Sequence, residues 1–135
     1  MEETLISFKT AKLAKEKGLI GIKTMYYYYK GKLDMGVWDD GELDWNGEPY
    51  DNMVLDEYHS APTQSLLQKW LREEHKIHLC VSVHGSLSTW FEVEILEEIE
   101  MLPIKARNGC YDNTDFNTYE EALEDALYQA LELIK

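Results

Sequence analysis

The sequence predicts an α+β fold of about four antiparallel strands with helices packed on one face, in the order α-β-β-α-β-β-α. Two segments carry the 3.6-residue periodicity of amphipathic helices: the run after Pro62, with Leu66, Leu67, Trp70 and Leu71, and the C-terminal run from Tyr119 to Ile134. Two others, Ile77–Val83 and Thr89–Leu96, alternate with the period of two that marks strands with one buried face. The aromatic run Thr24–Tyr29, TMYYYY, is too short for a stable helix before Gly31 and reads as a further strand.

Taken in order, Ser7 can cap a first helix over Phe8–Lys17, with Gly18 placed as its C-terminal cap. After the tyrosine strand, Lys30–Gly31 turns the chain. Gly36, Gly41, Gly47 and Pro49 then punctuate a segment that permits strands near Leu33–Trp38 and Met53–Glu57. Pro62 is expected to preset a helical φ in the first turn of the second helix. Beyond that helix, pairing Leu79 with Ile95, Val81 with Val93 and Val83 with Phe91 keeps the apolar groups together across a loop centred on Leu87. A slip of one residue would bury glutamates, and that sets the register. The stretch ARNGCYDNTDFN after Pro103 is expected to be a polar loop. Thr118 and Glu121 form a capping box that opens the last helix. Its apolar stripe is Tyr119, Ala122, Leu123, Ala126, Leu127, Ala130, Leu131 and Ile134, with Glu120, Glu121, Glu124 and Asp125 exposed.

At 135 residues, 44% of them hydrophobic, the chain suits a single domain, 1–135, with one modest core. The start, MEETLISF, lacks the basic region and long apolar run of a secretory signal, and no stretch approaches a membrane span. A cytoplasmic protein without membrane contact is the expectation. Cys80 and Cys110 lack the number and spacing of a disulfide framework or a metal knuckle, so both read as thiols.

The net charge of −13 is unevenly spread. Residues 1–32 carry seven lysines against three glutamates, a net +4, which leaves −17 for residues 33–135. No Lys or Arg occurs from Leu33 through Gln68. Such a field repels phosphate and disfavours direct nucleic-acid binding.

The second pleat face of the hairpin carries the candidate interaction surface: His78, Cys80, Ser82 and His84 on one strand facing Glu94, Glu92 and Trp90 on the other, with Tyr26–Tyr29 as possible neighbours. Aromatic and hydrogen-bonding groups of this kind are common in recognition surfaces. A metal could be drawn from His75, His78, Cys80 and His84, but strand rise sets the first strand ligands about 7 Å apart, and no metal is assigned. Glu42, Asp44, Asn46 and Gly47 imitate the first half of a calcium loop, yet Met53 stands where a bidentate Glu is required. There is no nucleophile elbow, phosphate loop, dinucleotide fingerprint or zinc-protease motif, so no catalytic residue and no cofactor is assigned.

The segments SAPTQSLLQKWLREEHK (Ser60–Lys76) and YEEALEDALYQALELIK (Tyr119–Lys135) resemble a family of small uncharacterised proteins of bacteriophages and prophages, especially in Bacteroidetes-type bacteria. The likeness is clearest over Ala61–His75 and Thr118–Ile134, with weaker support from the YYYY run and from Trp90–Phe91. It implies a shared fold and a product working in the bacterial host cytoplasm on a host or phage protein. It assigns no activity and no site residue.

Two main function classes follow. One is a non-catalytic protein-interaction module, as a homodimer or with another protein, using the His/Trp/Glu face. The other is an acidic decoy that offers carboxylates in place of phosphates to a DNA-binding protein, from the 33–57 segment and the last helix. An enzyme on a small substrate is a third reading, in which Glu92, Glu94 and His84 would do acid–base work if gathered in a pocket.

Overall fold

The computed structural model describes residues 3–36, 42–47, 57–84, 90–97, 102–108 and 118–134. Their order is α-β-β-β-α-β-β-β-α: α1 Phe8–Glu16, β1 Tyr26–Tyr29, β2 Lys32–Met35, β3 Tyr58–Ser60, α2 Gln64–His75, β4 Ile77–His84, β5 Trp90–Glu97, β6 Leu102–Asn108 and α3 Tyr119–Leu133. The class is α+β. Internal contacts gather in two compact units, Met1–Thr63 and Gln64–Ile134.

In the first unit, the Ser7 hydroxyl accepts from the Thr10 N–H to start α1. Gly18, at φ +96°, ends it: the Leu19 N–H returns to the Ala14 carbonyl and the Gly18 N–H to Lys15, the paired bonds of a Schellman cap. A sheet of order β2-β1-β3 follows, antiparallel throughout. Its first hairpin closes in two residues, Lys30 at φ 50° and Gly31 at φ 83°, with Tyr29 opposite Lys32. Two successive positive φ values match the right-handed strand twist of a type I′ turn.

The tyrosines of β1 divide between the two faces of that sheet. Tyr28, with His59 opposite it, meets Phe8 of α1 edge-on, and the Tyr28 hydroxyl donates to the Ile6 carbonyl at 2.7 Å. Tyr27, on the other face, stacks on the buried Trp45. Neighbouring tyrosines of one strand therefore pack on opposite faces of the sheet.

In the second unit, β4-β5-β6 form an antiparallel meander. Gln64, Leu67, Trp70 and Leu71 are the buried residues of α2, and Ala122, Leu123, Ala126, Leu127, Gln129, Ala130 and Leu131 those of α3. The helices pack on each other and on β4, where Ile77 and Leu79 are buried. The Thr118 hydroxyl accepts from the Glu121 N–H and caps α3.

The register expected for the central hairpin is the register observed: Leu79 faces Ile95, Val81 faces Val93 and Val83 faces Phe91. Other expectations need correction. The described residues hold six strands in two sheets, where about four in one were expected. Pro62 precedes α2 by two residues in an extended segment, where its carbonyl accepts from the Ile6 N–H and Thr63 bridges to Leu5. Those bonds hold it out of the helix. Ala106, Arg107 and Asn108, read as loop, pair along β5 within β6. Among the described residues β6 is an edge strand, which accommodates Pro103 beside a register shift whose extra residue is Ile104. Tyr119 heads the α3 stripe but is exposed, and Glu124 and Asp125 are half-buried. The loop around Leu87 and most of the Met53–Glu57 strand lie outside the described residues.

Candidate functional site

Pleat alternation builds the candidate face on the second sheet. Along β4, Ile77 and Leu79 are buried while His78 is half-buried and Cys80 exposed. The Gln68 side chain of α2 donates to the Leu79 carbonyl, anchoring the helix to this strand. Residues at the even positions thus share the face opposite the Ile77 and Leu79 side chains.

Strand pairing carries that face across the sheet. His84 is opposite Trp90, Ser82 opposite Glu92, and Cys80 opposite Glu94. On β6 the same rows end at Asn108, opposite Glu92, and Ala106, opposite Glu94. The seven residues singled out from the sequence, His78, Cys80, Ser82, His84, Trp90, Glu92 and Glu94, therefore fall on adjacent register positions of one sheet face. Tyr26–Tyr29 is a strand of the other sheet.

Among the described residues, no three His, Cys, Asp or Glu side chains are grouped for a metal ion. His75 lies edge-on against Trp70, with ring centroids 4.6 Å apart.

The residues that imitate a calcium loop do another job. Asp44 accepts from the Gly21 N–H at 2.7 Å through one carboxylate oxygen and from the Gly47 N–H through the other. Buried Asn46 donates to the Leu19 carbonyl and accepts from the Ser60 N–H, each at 2.8 Å. These side chains tie the end of α1 and strand β3 to the segment at residues 42–47. A side chain at Gly47 would collide with the Asp44 carboxylate, which explains the glycine without a metal.

Sequence reasoning missed the aromatic cluster built over that clamp. Trp45 stacks on Tyr27 and lies near-parallel to Tyr58, and its indole N–H donates to the Thr24 carbonyl at 2.8 Å. Tyr58 also meets Tyr29, 4.8 Å between centroids. Burial pushes the Tyr58 hydroxyl above its ordinary pKa, with Tyr29 and Glu57 adding to the rise. The Glu57 carboxylate, 3.7 Å from the Lys30 ammonium, and then Tyr29 raise the Lys30 pKa. Both side chains of that ion pair are solvated, so it contributes little to stability. A tryptophan inside an acidic, glycine-punctuated segment was the one available signal.

Among the described residues, no helix is long and apolar enough to cross a membrane. No protein-family model, no curated protein and no solved structure matches the chain.

Proposed function

We propose that this chain is a small non-catalytic protein-interaction module of phage or prophage type, which works in the bacterial cytoplasm and contacts a host or phage protein. The face it uses is that of His78, Cys80, Ser82, His84, Trp90, Glu92 and Glu94. The observation that carries this reading is the register: seven residues able to hydrogen-bond, stack or carry charge occupy adjacent positions on one sheet face, which is exposed at Cys80 while its reverse is buried at Ile77 and Leu79. A sheet whose helices lie on one side presents such a face to water or to a partner.

The acidic-decoy reading has less support. Of the four carboxylates expected on the outer face of α3, Glu124 and Asp125 are half-buried, and Asp125 accepts a hydrogen bond from Gln129. A phosphate mimic requires those charges facing solvent.

The test is affinity capture from a bacterial lysate with the wild-type chain beside a Trp90→Ala, Glu92→Ala variant. Each partner retained by the wild type is then titrated, purified, against both chains across ionic strength. A partner lost by the variant, with affinity nearly independent of salt, is the expected result. A partner bound equally by both chains, with affinity collapsing as salt rises and on charge reversal of Glu120 and Glu121, would replace the module with the decoy.

A further inference from the structure

Strand β2 lies at the outer edge of the first sheet. All four residues of this strand are exposed, including Leu33 at 50% and Met35 at 43%. Among the described residues β2 pairs only with β1, and no strand of theirs lies along its other edge. The two-residue turn makes Tyr29 and Lys32 a hydrogen-bonded pair, and alternation makes Tyr27 and Asp34 the next. The N–H and C=O groups of Leu33 and Met35 therefore point away from β1. Consistent with that direction, the Met35 N–H donates to the Asp34 carboxylate at 2.8 Å.

We infer that β2 is a homodimer interface, in which two copies join antiparallel edges about a two-fold axis through Leu33. Only registers that set outward-pointing groups opposite each other complete a ladder. With Leu33 opposite the partner's Leu33, the two residues exchange both backbone bonds. Lys32 then lies opposite the partner's Asp34, and Asp34 opposite the partner's Lys32, in the closely spaced non-hydrogen-bonded rows. Moving one ladder step to either side places Asp34 against Asp34 or Lys32 against Lys32. Charge and hydrogen-bond phase therefore select the same register.

The apolar side agrees. Leu33 and Met35 share one pleat face with Tyr26, which is opposite Met35 and 37% exposed. In the paired form the two Leu33 side chains meet across the axis. An interface of two four-residue strands falls below the roughly 1,000 Å² of stable dimers, so association is weak and concentration-dependent. This surface belongs to the first unit and stands independently of the face on the second sheet.

Charge swapping tests the register directly. Lys32→Asp and Asp34→Lys each set like charges opposite one another in both rows. Each variant alone should dimerise about tenfold more weakly than wild type in sedimentation equilibrium. Mixed one to one, the two variants have opposite charges in both rows and should form a heterodimer, seen by native mass spectrometry. Both residues are exposed, and unchanged far-ultraviolet circular dichroism verifies the fold. The inference is overturned if the wild type stays monomeric to about millimolar concentration, if both variants dimerise as the wild type does, or if the mixture forms no heterodimer. Pairing of β2 with a strand of an unrelated protein, without self-association, would overturn it equally.

Discussion

Trp45 stacks on Tyr27 with ring centroids 3.9 Å apart and planes inclined by 26°. The contact joins a residue of the acidic middle segment to the second tyrosine of β1, and it closes the sheet face that α1 does not reach. Trp45→Ala removes the largest fully buried side chain among the described residues and leaves the Thr24 carbonyl without its indole donor. The expected loss is about 3–5 kcal/mol by urea unfolding. Trp45→Phe retains the stacking but not the donor, and should lose about 1–3 kcal/mol.

Asn46 bonds two backbone groups of buried residues, Leu19 and Ser60. Asn46→Ala therefore leaves the Leu19 carbonyl and the Ser60 N–H unsatisfied, for an expected loss of about 2–4 kcal/mol. Because Asp44 and Asn46 already serve backbone N–H and C=O groups, millimolar calcium should leave the melting temperature unchanged. A calcium-dependent rise abolished by Asp44→Asn would restore the metal reading.

Among the described residues, two other than glycine hold positive φ, Lys30 in the β1–β2 turn and Lys76 between α2 and β4. Lys76→Gly should raise stability by about 0.5–1 kcal/mol, since it relieves left-handed strain at a helix end. Gly31→Ala should lower it by about 1–2 kcal/mol. A methyl group at Gly31 would meet the Phe8 ring at an ordinary 3.8 Å, so backbone conformation and not collision sets that penalty.

The Tyr58 hydroxyl has its pKa raised by burial, which gives the first unit an alkaline limit. The folded state holds this proton more tightly than the unfolded chain, so the contribution is complete below the ordinary tyrosine pKa of about 10 and is lost as pH rises through the folded value. Lys30 acts in the same sense. Urea midpoints should therefore fall above about pH 10, and Tyr58→Phe should flatten that fall. An unchanged slope in the variant would assign the alkaline loss to other groups.

Local signals carried over faithfully where the interaction they encode spans few residues. Ser7 and Thr118 cap helices three residues from the N–H groups they accept, and Lys30–Gly31 closes a two-residue turn. The β4–β5 register was legible because a period of two permits one apolar solution, and a slip would bury glutamates. The positions of the seven face residues relative to one another followed from that register.

Elsewhere the deciding contacts are distant in the chain. Asn46 reaches Leu19 across 27 positions and Ser60 across 14, and Trp45 reaches Thr24 across 21. No periodicity or spacing marks such bonds. Pro62 read as a helix starter because its φ suits a first turn, but pairing of its neighbourhood with Leu5 and Ile6 overrode that preference. Pro103 and the polar residues after it concealed β6, since propensity takes no account of an edge strand that donates on one side only.

The sequence by itself determined the α+β class, the helix caps, the tyrosine hairpin turn and the central hairpin register. Each is written in residues close together or in a strict period. Only the tertiary structure decided that the strands divide into two sheets, that Trp45 and Asn46 are core and clamp residues, and that β2 is left as an exposed edge. Strand partnership and side-chain to backbone bonding depend on which segments meet after the chain has closed its long loops, and that information is spread over the whole chain.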